Sequence, residues 1–569
     1  MHRRSARTGL SIGIGLLAAT LGVTACQLIA GIDEKVAGES TNDIDAADTS
    51  TPGNDGGTDG EQPAPECAKH TDCVAKHGEN FICVKKANKP STCQSLLSPD
   101  CQTIIAGVRG GTPQAKQEIL QDDNTIFFGF IMDLLGSGKN AGVARRQAVE
   151  LAAGDIHSVA RGIPGGADGK RRPIAWVACS ETKDAMSAPD PKVPAKHLIE
   201  NLNVPAILGA SNSDTTIDLF NGYALAQGTL VFSPNSLSSA LSSSTDKGLF
   251  WRTSATSILQ GKAIQQQVAE LEATLPAGEH RLAMIYIQDA FGTDIFPHIQ
   301  SGLSFNGAPI TNTAVNGPAC SATPCNVNSR IFTKQFPANT PAEVMTAVGH
   351  ELFLFNPDIV VAIGRRDAVQ ITANAEAEGL RAYYLFTQGS ATADITTLLT
   401  ANDANGIRGR VRGGRPLAAP DEASVFVPLY NQAFPGGPPS GNGVPGCFDI
   451  TYLLTYAAAA APLPPGQILT GAHLNEGLKR VLNKDAVDVF KVGSADLTKA
   501  LEALSANKQI NTKGVSYIFD FDTNVGEAPG KVDIFCVSEN SNQLKSSGRV
   551  YDPGLDGGIT TGTFNCPQN

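Results

Sequence analysis

Residues 204–214 read VPAILGASNSD, an apolar run that ends in a stretch of small polar residues. An unbroken apolar run of this length is typical of a strand that is covered on both faces of a sheet. The polar residues after it predict a loop that leads into a helix, with Ser213 or Asp214 able to cap that helix. A strand followed by a loop and a helix is the repeating unit of a parallel α/β sheet.

The same pattern recurs on both sides of this segment. Further apolar runs lie at residues 125–132 (TIFFGFIM), 173–178 (PIAWVA), 229–233 (TLVFS), 282–287 (LAMIYI), 358–364 (DIVVAIG) and 382–387 (AYYLFT). Residues 143–159 and 263–275 place apolar side chains at three- and four-residue steps, which predicts helices with one buried stripe. Strands that alternate with helices predict an α/β fold with parallel sheets, and about 450 residues of this pattern predict two lobes.

The N-terminus has the features of an exported lipoprotein. Three arginines among the first seven residues precede an apolar stretch at residues 10–21, and residues 23–26 read VTAC. Small residues before a cysteine resemble the bacterial lipobox. We therefore expect a signal peptide over residues 1–25 and a lipid on Cys26, in preference to ordinary secretory cleavage beside a chance cysteine.

This leader predicts a protein of the cell envelope that is lipid-anchored to a membrane and faces the periplasm. Gln27, which follows the cysteine, favours the outer membrane by analogy with known sorting rules. Residues 26–66 are expected to form the anchor and a disordered linker, because residues 33–66 contain ten acidic residues and one basic residue. The net charge of the chain, -11, argues against a nucleic-acid partner.

Export makes disulfides the expected state of the cysteines that follow Cys26. Residues 67–101, a segment too short to build a core of its own, are expected to form a Cys-rich disulfide module, and four of their five cysteines form a cluster. Their wide spacing favours two disulfides over a zinc site, which stays the alternative. The four are Cys67, Cys73, Cys83 and Cys93.

The other cysteines are spread over the rest of the chain, and their connectivity does not follow from sequence. Cys320 and Cys325 are close enough along the chain to close one loop, and Cys536 and Cys566 bracket the C-terminal region, whose tail their bond would hold in place. Three cysteines then remain, so that either one thiol stays unpaired or the pairing differs. These three are Cys101, Cys179 and Cys447.

The sequence contains no recognisable catalytic motif. HExxH, GxSxG and CxxC are all absent. Residues 520–526 resemble a calcium loop, but Gly526 stands one place late and no bidentate glutamate follows, which favours a β-turn over a metal site. We therefore predict a protein that is not an enzyme and that uses no metal or cofactor.

Polar loops follow four of the predicted strands, and ligands of open parallel sheets bind at such loops, beyond the carboxyl ends of the strands. The loops contain Ser211, Asn212 and Ser213; Asn235 and Ser236; Phe291; and Gln388. Free N–H groups at the helix start after the first loop can accept a carboxylate. Phe291 is expected either to pack on a ligand or to belong to the core. Arg365 and Arg366 follow another strand, where a solvated charged loop end is favoured over an anion site.

Four consecutive segments resemble the type I periplasmic binding proteins. They are residues 195–209 (AKHLIENLNVPAILG), 229–235 (TLVFSPN), 250–262 (FWRTSATSILQGK) and 282–292 (LAMIYIQDAFG). The resemblance is closest to the branch that binds leucine, isoleucine and valine for ABC transporters, and it extends from Asp122 to the late 540s. It implies two Rossmann-like lobes that close by hinge motion on a ligand in the cleft.

The resemblance also implies where the lobes begin and end. Three hinge crossings are expected near Thr253, Arg412 and Tyr517. Lobe 1 would then consist of residues 122–253 and 412–516, and lobe 2 of residues 254–411 and 517–569.

Site roles follow from the resemblance residue by residue. Ser213, with Ser211 and Asn212, matches the loop that holds the carboxylate of the ligand, and Asn235 and Ser236 match the second loop. Leu237 stands where a threonine hydroxyl often helps, and Phe291 matches a tyrosine that contacts ligand. Gln388 falls where an acidic residue often pairs with the α-ammonium group. An uncharged, amide-like or acidic ligand is therefore an alternative to an amino acid.

These observations predict a lipid-anchored solute-binding receptor that captures a small polar ligand, an amino acid or a related compound, for an ABC permease or a sensor. The alternative is a non-transport lipoprotein that uses the same fold as a protein-binding scaffold or a regulator of cell-wall synthesis. The long linker and the Cys-rich segment favour this alternative mildly. An exported hydrolase has no motif in its support.

Overall fold

The computed structural model describes residues 64–566, apart from short gaps. The gaps are residues 167–168, 243–244, 311–329, 392–394, 418–419, 438–442, 465–466, 517–518, 520, 529 and 540. The described residues all belong to one compact unit, Gln62–Asn569. The predicted signal peptide, the lipidation site Cys26, most of the acidic linker, and Cys320 and Cys325 lie outside the described residues.

Residues 64–101 form a small module that two disulfides hold together. It contains α1 (His70–His77), β1 (Phe81–Lys86) and β2 (Lys89–Ser95). The two strands pair antiparallel with Cys83 opposite Cys93, and disulfides join Cys67 to Cys83 and Cys73 to Cys93. The prediction of two disulfides in this segment is confirmed.

The module is attached to the body of the chain both covalently and by packing. A disulfide joins Cys101 to Cys179, and Ile82 and Val84 belong to the same hydrophobic core as the first large sheet. Pairing of Cys101 with Cys179 leaves Cys447 as the unpaired thiol among the described cysteines, and it is buried. The predicted pairing of Cys536 with Cys566 is also confirmed.

Lobe 1 is the part of the chain built around a six-stranded sheet. Its first segment contains β3 (Thr103–Ala106), α2 (Pro113–Gln121), β4 (Ile126–Met132), α3 (Lys139–Ala160), β5 (Ile174–Ser180), α4 (Lys192–Lys196), β6 (Ala206–Gly209), α5 (Ser213–Leu219), α6 (Leu225–Gln227), β7 (Leu230–Ser233) and β8 (Phe250–Arg252). The strand order is β3-β5-β4-β6-β7-β8, and every pair except β3–β5 is parallel. Since β3 precedes residue 122, the first sheet begins earlier than the sequence pattern indicated.

Lobe 2 is built around an eight-stranded sheet. Its first segment contains α7 (Ser257–Glu272), β9 (Leu282–Gln288), α8 (Gly292–Ser301), β10 (Ser304–Phe305), β11 (Ala308–Pro309), β12 (Ile331–Pro337), α9 (Ala342–Phe355), β13 (Ile359–Ile363), α10 (Arg366–Glu378), β14 (Tyr383–Phe386), α11 (Ile395–Asn402) and β15 (Val411–Pro416). The five strands β12-β9-β13-β14-β15 are parallel in that order. The apolar runs are explained by burial on both faces: Ala283 and Ile285 face one core cluster, and Leu282 and Met284 face another.

The chain then returns to lobe 1 and finally to lobe 2. The returning segment contains α12 (Pro420–Ala433), α13 (Val444–Ala460), α14 (Gly471–Val481), β16 (Val489–Lys491), α15 (Ser494–Ser505) and β17 (Asn511–Lys513). The last segment adds β18 (Val532–Val537), β19 (Leu544–Asp552) and β20 (Ile559–Thr561), all antiparallel, to the second sheet. All seven predicted strands are present, as β4, β5, β6, β7, β9, β13 and β14.

The chain passes between the two large sheets at three places. The first follows Arg252, the last residue of β8, next to Thr253. Arg412, however, pairs with both Leu385 and Cys536 inside β15, so the second crossing follows Pro416. The sequence VRGGRP of β15 lacks the apolar run that marks the other strands, which explains the displacement.

The third crossing lies after residue 528. Phe519, Phe521 and Ala528 still belong to the core of lobe 1, whereas Val532 begins β18 in lobe 2. Tyr517, where this crossing was expected, lies outside the described residues. Just beyond it, the backbone around Asp522 turns tightly, with Val525 N–H donating to the Asp522 carbonyl at 3.2 Å, as expected for a β-turn.

None of the described helices is both long and apolar enough to cross a membrane.

Candidate functional site

The loop after β6 is organised by a helix cap. The side chain of Asn212 accepts the N–H of Thr215 at 3.1 Å, and the hydroxyl of Thr215 accepts the N–H of Asn212 at 3.3 Å. Asn212 therefore caps α5, in place of the expected Ser213 or Asp214. Its extended backbone suits the cap position, which makes Ser213 the first residue inside the helix.

Ser213 ties the first loop to the loop after β7. Its hydroxyl oxygen accepts the N–H groups of Leu237 and Ser238, both at 3.2 Å, and the residue is 3% exposed. The hydroxyl oxygen of Ser213 therefore already accepts two backbone N–H groups of the protein.

The remaining predicted residues of lobe 1 lie at the same place. Asn235 donates from its amide to the carbonyl oxygen of Ser211 at 2.9 Å. The hydroxyl of Ser236 lies 3.2 Å from the carbonyl oxygen of Asn212. The five residues that sequence selected from these two loops thus converge on one corner of lobe 1.

Gln388 reaches this corner from lobe 2. Its amide nitrogen donates to the side-chain oxygen of Asn235 at 3.2 Å, and its amide oxygen accepts from Gln260 at 2.8 Å. Gln388 is 2% exposed. The loop after β14 therefore contacts the loop after β7, and the carboxyl ends of the two sheets meet.

A second set of contacts joins the lobes next to the first. The carboxylate of Asp214 on lobe 1 accepts the N–H of Ala290 on lobe 2 at 2.7 Å. Arg365 forms an ion pair with Asp289 and lies 3.6 Å from Asp214. Arg365 was expected to be a solvated loop end but instead bridges the two lobes. The loop after β9 brings Asp289 to it, and the start of α5 in lobe 1 brings Asp214.

Asp289 also shapes the loop after β9. It accepts the N–H groups of Phe291 at 3.0 Å and Gly292 at 2.7 Å. Burial raises the pKa of the Asp289 carboxyl, and Arg365 opposes that rise. Phe291 is 4% exposed and packs in a core cluster that includes Leu237 and Ile295. This agrees with the expected alternative in which Phe291 belongs to the core. Contact of Phe291 with a ligand stays a prediction.

Three charged residues at the same edge of lobe 1 were not selected from sequence. Asp133 follows β4, and its carboxylate accepts the N–H groups of Gly136 and Gly138, each at 2.6 Å, and the hydroxyl of Thr182 at 2.7 Å. Its own N–H donates to the hydroxyl of Ser211 at 2.7 Å. Asp133 therefore holds the turn before α3 against the loop after β6.

Arg145 and Glu181 are the other two. Arg145, buried in α3, donates to the carbonyl oxygen of Ser211 at 3.2 Å, and burial lowers the pKa of its guanidinium. Glu181 follows β5, and one of its oxygens accepts the N–H of Ser211 at 3.3 Å. Burial raises the pKa of Glu181 to about 7. Asp133 directly follows a predicted strand and Glu181 lies three residues after another, so the strand-end rule points to both. Arg145, inside a helix, carries no such signal.

Two groups of side chains in the small module have ligand atoms close enough together for a metal ion. Both groups include Cys93, and the first also includes Cys67 and Cys73. All three sulfurs belong to disulfides, which leaves no thiolate for a metal among them.

No family model and no curated protein matches the sequence. Solved structures do match. The branched-chain amino acid transporter substrate-binding protein LivJ of Streptococcus pneumoniae, solved in complex with isoleucine, is 15% identical over 74% of this chain and 99% of its own, with a TM-score of 0.51. The leucine-binding protein LivK of Thermotoga maritima is 15% identical over 75% and 99%, also with a TM-score of 0.51.

An ABC transporter substrate-binding protein of Aeropyrum pernix is 16% identical over 76% of this chain and 97% of its own, with a TM-score of 0.51. At such low identity these likenesses concern the fold. The chain has the type I periplasmic binding fold that its sequence predicts.

Proposed function

We propose that this chain is a solute-binding receptor that holds a small polar ligand between its two lobes. The observation that carries the proposal is the contact of Asn235 with Gln388, which brings the strand-end loops of both sheets together. In open parallel sheets such loops are where ligands bind. Of the similar proteins, LivJ was solved with isoleucine and LivK is a leucine-binding protein, which supports the same class of activity here.

The ligand is an amino acid or a related small polar compound. The loops around Ser211, Asn212 and Ser213 offer hydroxyls and backbone N–H groups, and Asn235, Ser236 and Gln388 add further polar atoms. Gln388 is neutral, so an amide-like or acidic ligand is the alternative to an amino acid.

Binding requires the two lobes to separate and close again. Ala290 N–H with Asp214, and Gln388 with Asn235, are hydrogen bonds that cross between the lobes. A ligand that enters the cleft has to rearrange these contacts, and rotation about the three crossings allows this.

The receptor belongs in the cell envelope. The leader and Cys26 support a signal peptide and a lipid anchor that faces the periplasm, with the outer membrane favoured by Gln27. Its partner is an ABC permease or a sensor that recognises the ligand-bound form.

A protein-binding scaffold, such as a regulator of cell-wall synthesis, is the second candidate. The observation in its favour is that the cleft-edge groups bind each other: Arg365 pairs with Asp289, and Gln388 with Asn235. Lobes locked by such contacts would present a fixed surface.

Thermal unfolding of the purified chain with amino acids, amides and small carboxylates tests the proposal. A ligand that binds only the folded state raises Tm with its concentration. The receptor function predicts such a rise for at least one compound, and no rise with any of them contradicts it. Recovery of an envelope synthase without a permease in a pull-down favours the scaffold.

A further inference from the structure

The corner that joins the lobes has a neutral Gln388 where a charge partner for an ammonium group was expected. A carboxylate is nevertheless present nearby. Glu181 follows β5 at the same sheet edge, is 3% exposed, and contacts Ser211 of the first ligand loop. Ser211 in turn accepts from Asn235, which contacts Gln388.

One oxygen of Glu181 has no hydrogen-bond partner in the part of the chain that the structure describes. Oε2 accepts the N–H of Ser211, whereas Oε1 is fully buried without a hydrogen-bond partner among the residues that the structure describes. A buried carboxylate oxygen without a donor carries a free-energy penalty that a ligand donor would remove.

The other acids near the loops are already occupied. Asp133 accepts from Gly136, Gly138 and Thr182, and Asp289 accepts from backbone N–H groups and pairs with Arg365. Within the described part of the chain, one other carboxylate has an orphaned buried oxygen, Asp246. Its other oxygen accepts the N–H of Gly248 at 2.7 Å, in the loop before β8.

We infer that Glu181 receives an ammonium group of the ligand, an inference that rests on the proposed receptor function. The site then selects compounds with a positively charged nitrogen, because a second oxygen that lacks a donor accepts such a group most strongly. The neutral Gln388 is compatible with this selection, since the opposite charge is supplied from lobe 1.

The charged groups that face Glu181 are Asp133 from the loop after β4 and Arg145 from α3. Arg145 favours the ionised carboxylate and Asp133 disfavours it, while burial disfavours it most. An ammonium group that approaches Oε1 meets a carboxylate whose charge Arg145 compensates only in part.

The test compares the full chain with its Glu181→Gln variant, with Glu502→Gln as a matched control at an exposed position. The Glu181→Gln substitution keeps an acceptor for the N–H of Ser211 and removes the charge. The probes are the amino acids, their deaminated carboxylates and their decarboxylated amines. Amine-bearing probes should raise Tm in the wild type and in the control, with binding weakened by at least about tenfold in Glu181→Gln. Deaminated carboxylates should behave alike in all three proteins.

Equal binding of amine-bearing probes by wild type and Glu181→Gln overturns the inference and leaves the receptor function standing. No response to any probe in the wild type removes the receptor function, and the inference with it. A second readout is the pH profile of amine binding, which should strengthen from pH 6 to pH 8 in the wild type as Glu181 ionises. A profile that is the same in Glu181→Gln contradicts the role of Glu181.

Discussion

Two buried acids of lobe 1 differ in how well their oxygens are satisfied. Asp449 in α13 accepts the N–H groups of Val515 at 2.8 Å and Ser516 at 2.7 Å, and also the hydroxyl of Ser516. Glu181 accepts the N–H of Ser211 on Oε2 and also interacts with the Ser211 hydroxyl, whereas its Oε1 has no hydrogen-bond partner among the described residues. Burial raises the pKa of each carboxyl to about 7, yet only Glu181 retains an unused acceptor. This contrast separates a structural acid from one that is available to a ligand.

At pH 8, Glu181→Gln should be more stable than the wild type in the absence of ligand. The folded-state pKa of Glu181, about 7, exceeds its usual value of 4.5, so the stability that the proton provides is complete below pH 4.5 and is lost as pH rises through 7. The gain from the substitution should therefore grow from pH 5 to pH 8 by up to about 3 kcal/mol. Urea unfolding at the two pH values measures it, and a difference that does not change with pH would contradict the assignment.

Asp449→Ala should destabilise the chain by about 3 kcal/mol, because two buried N–H groups lose their acceptor. Asp449→Asn keeps one acceptor oxygen and should cost less. Denaturant unfolding of both variants checks the order. An Ala variant as stable as the Asn variant would show that the N–H groups of Val515 and Ser516 find other partners.

At the scale of elements, β3 forms one edge of the first sheet and follows the disulfide-bonded module along the chain. β3 pairs antiparallel with β5, and Cys101, two residues before β3, is joined to Cys179 in β5. The disulfide therefore fixes the register of an edge strand whose four residues, TIIA, offer few hydrogen bonds of their own.

Replacement of Cys101 and Cys179 together by serine should lower the free energy of unfolding by about 2–4 kcal/mol, since the bond closes a loop of 78 positions. The double variant avoids a new free thiol. Protection of the β3 amides in hydrogen exchange should fall more than that of β6. Equal protection in the variant and the wild type would mean that packing alone holds the edge strand.

At the scale of the whole molecule, contacts between the lobes, together with contacts within them, set the geometry where the carboxyl ends of the two sheets meet. Arg365 is held by Asp289 of its own lobe and lies within 3.6 Å of Asp214 of the other. Asp214 also accepts the N–H of Ala290, so this aspartate of lobe 1 contacts two residues of lobe 2.

Arg365→Gln should favour separation of the lobes, because it removes the charge that links Asp289 to Asp214. The expected result is faster hydrogen exchange of the Ala290 amide and a larger radius of gyration in X-ray solution scattering. Lys499→Gln, at an exposed position on α15, is the control and should leave both unchanged. An Arg365→Gln variant with wild-type exchange and radius would show that the ion pair does not restrain the lobes.

Seven strands and the type I fold followed from the sequence alone. A strand that is buried on both faces of a sheet consists largely of consecutive apolar residues, as in residues 282–287 and 358–364. The polar loops with Ser213, Asn235 and Gln388 were also predictable, since they directly follow such runs.

Tertiary structure decided what depends on neighbours that are distant along the chain. The strand VRGGRP is held by β14 and β18 and has no apolar run to reveal it. Arg365 became a bridge because Asp289 and Asp214, 76 or more positions away along the chain, come to its side. Glu181 has a buried oxygen without a hydrogen-bond partner because none of the described residues that the fold places around it donates to that oxygen. Sequence records the local environment of each residue, whereas pairing, charge compensation and unmet hydrogen bonds arise only when the folded chain brings residues together.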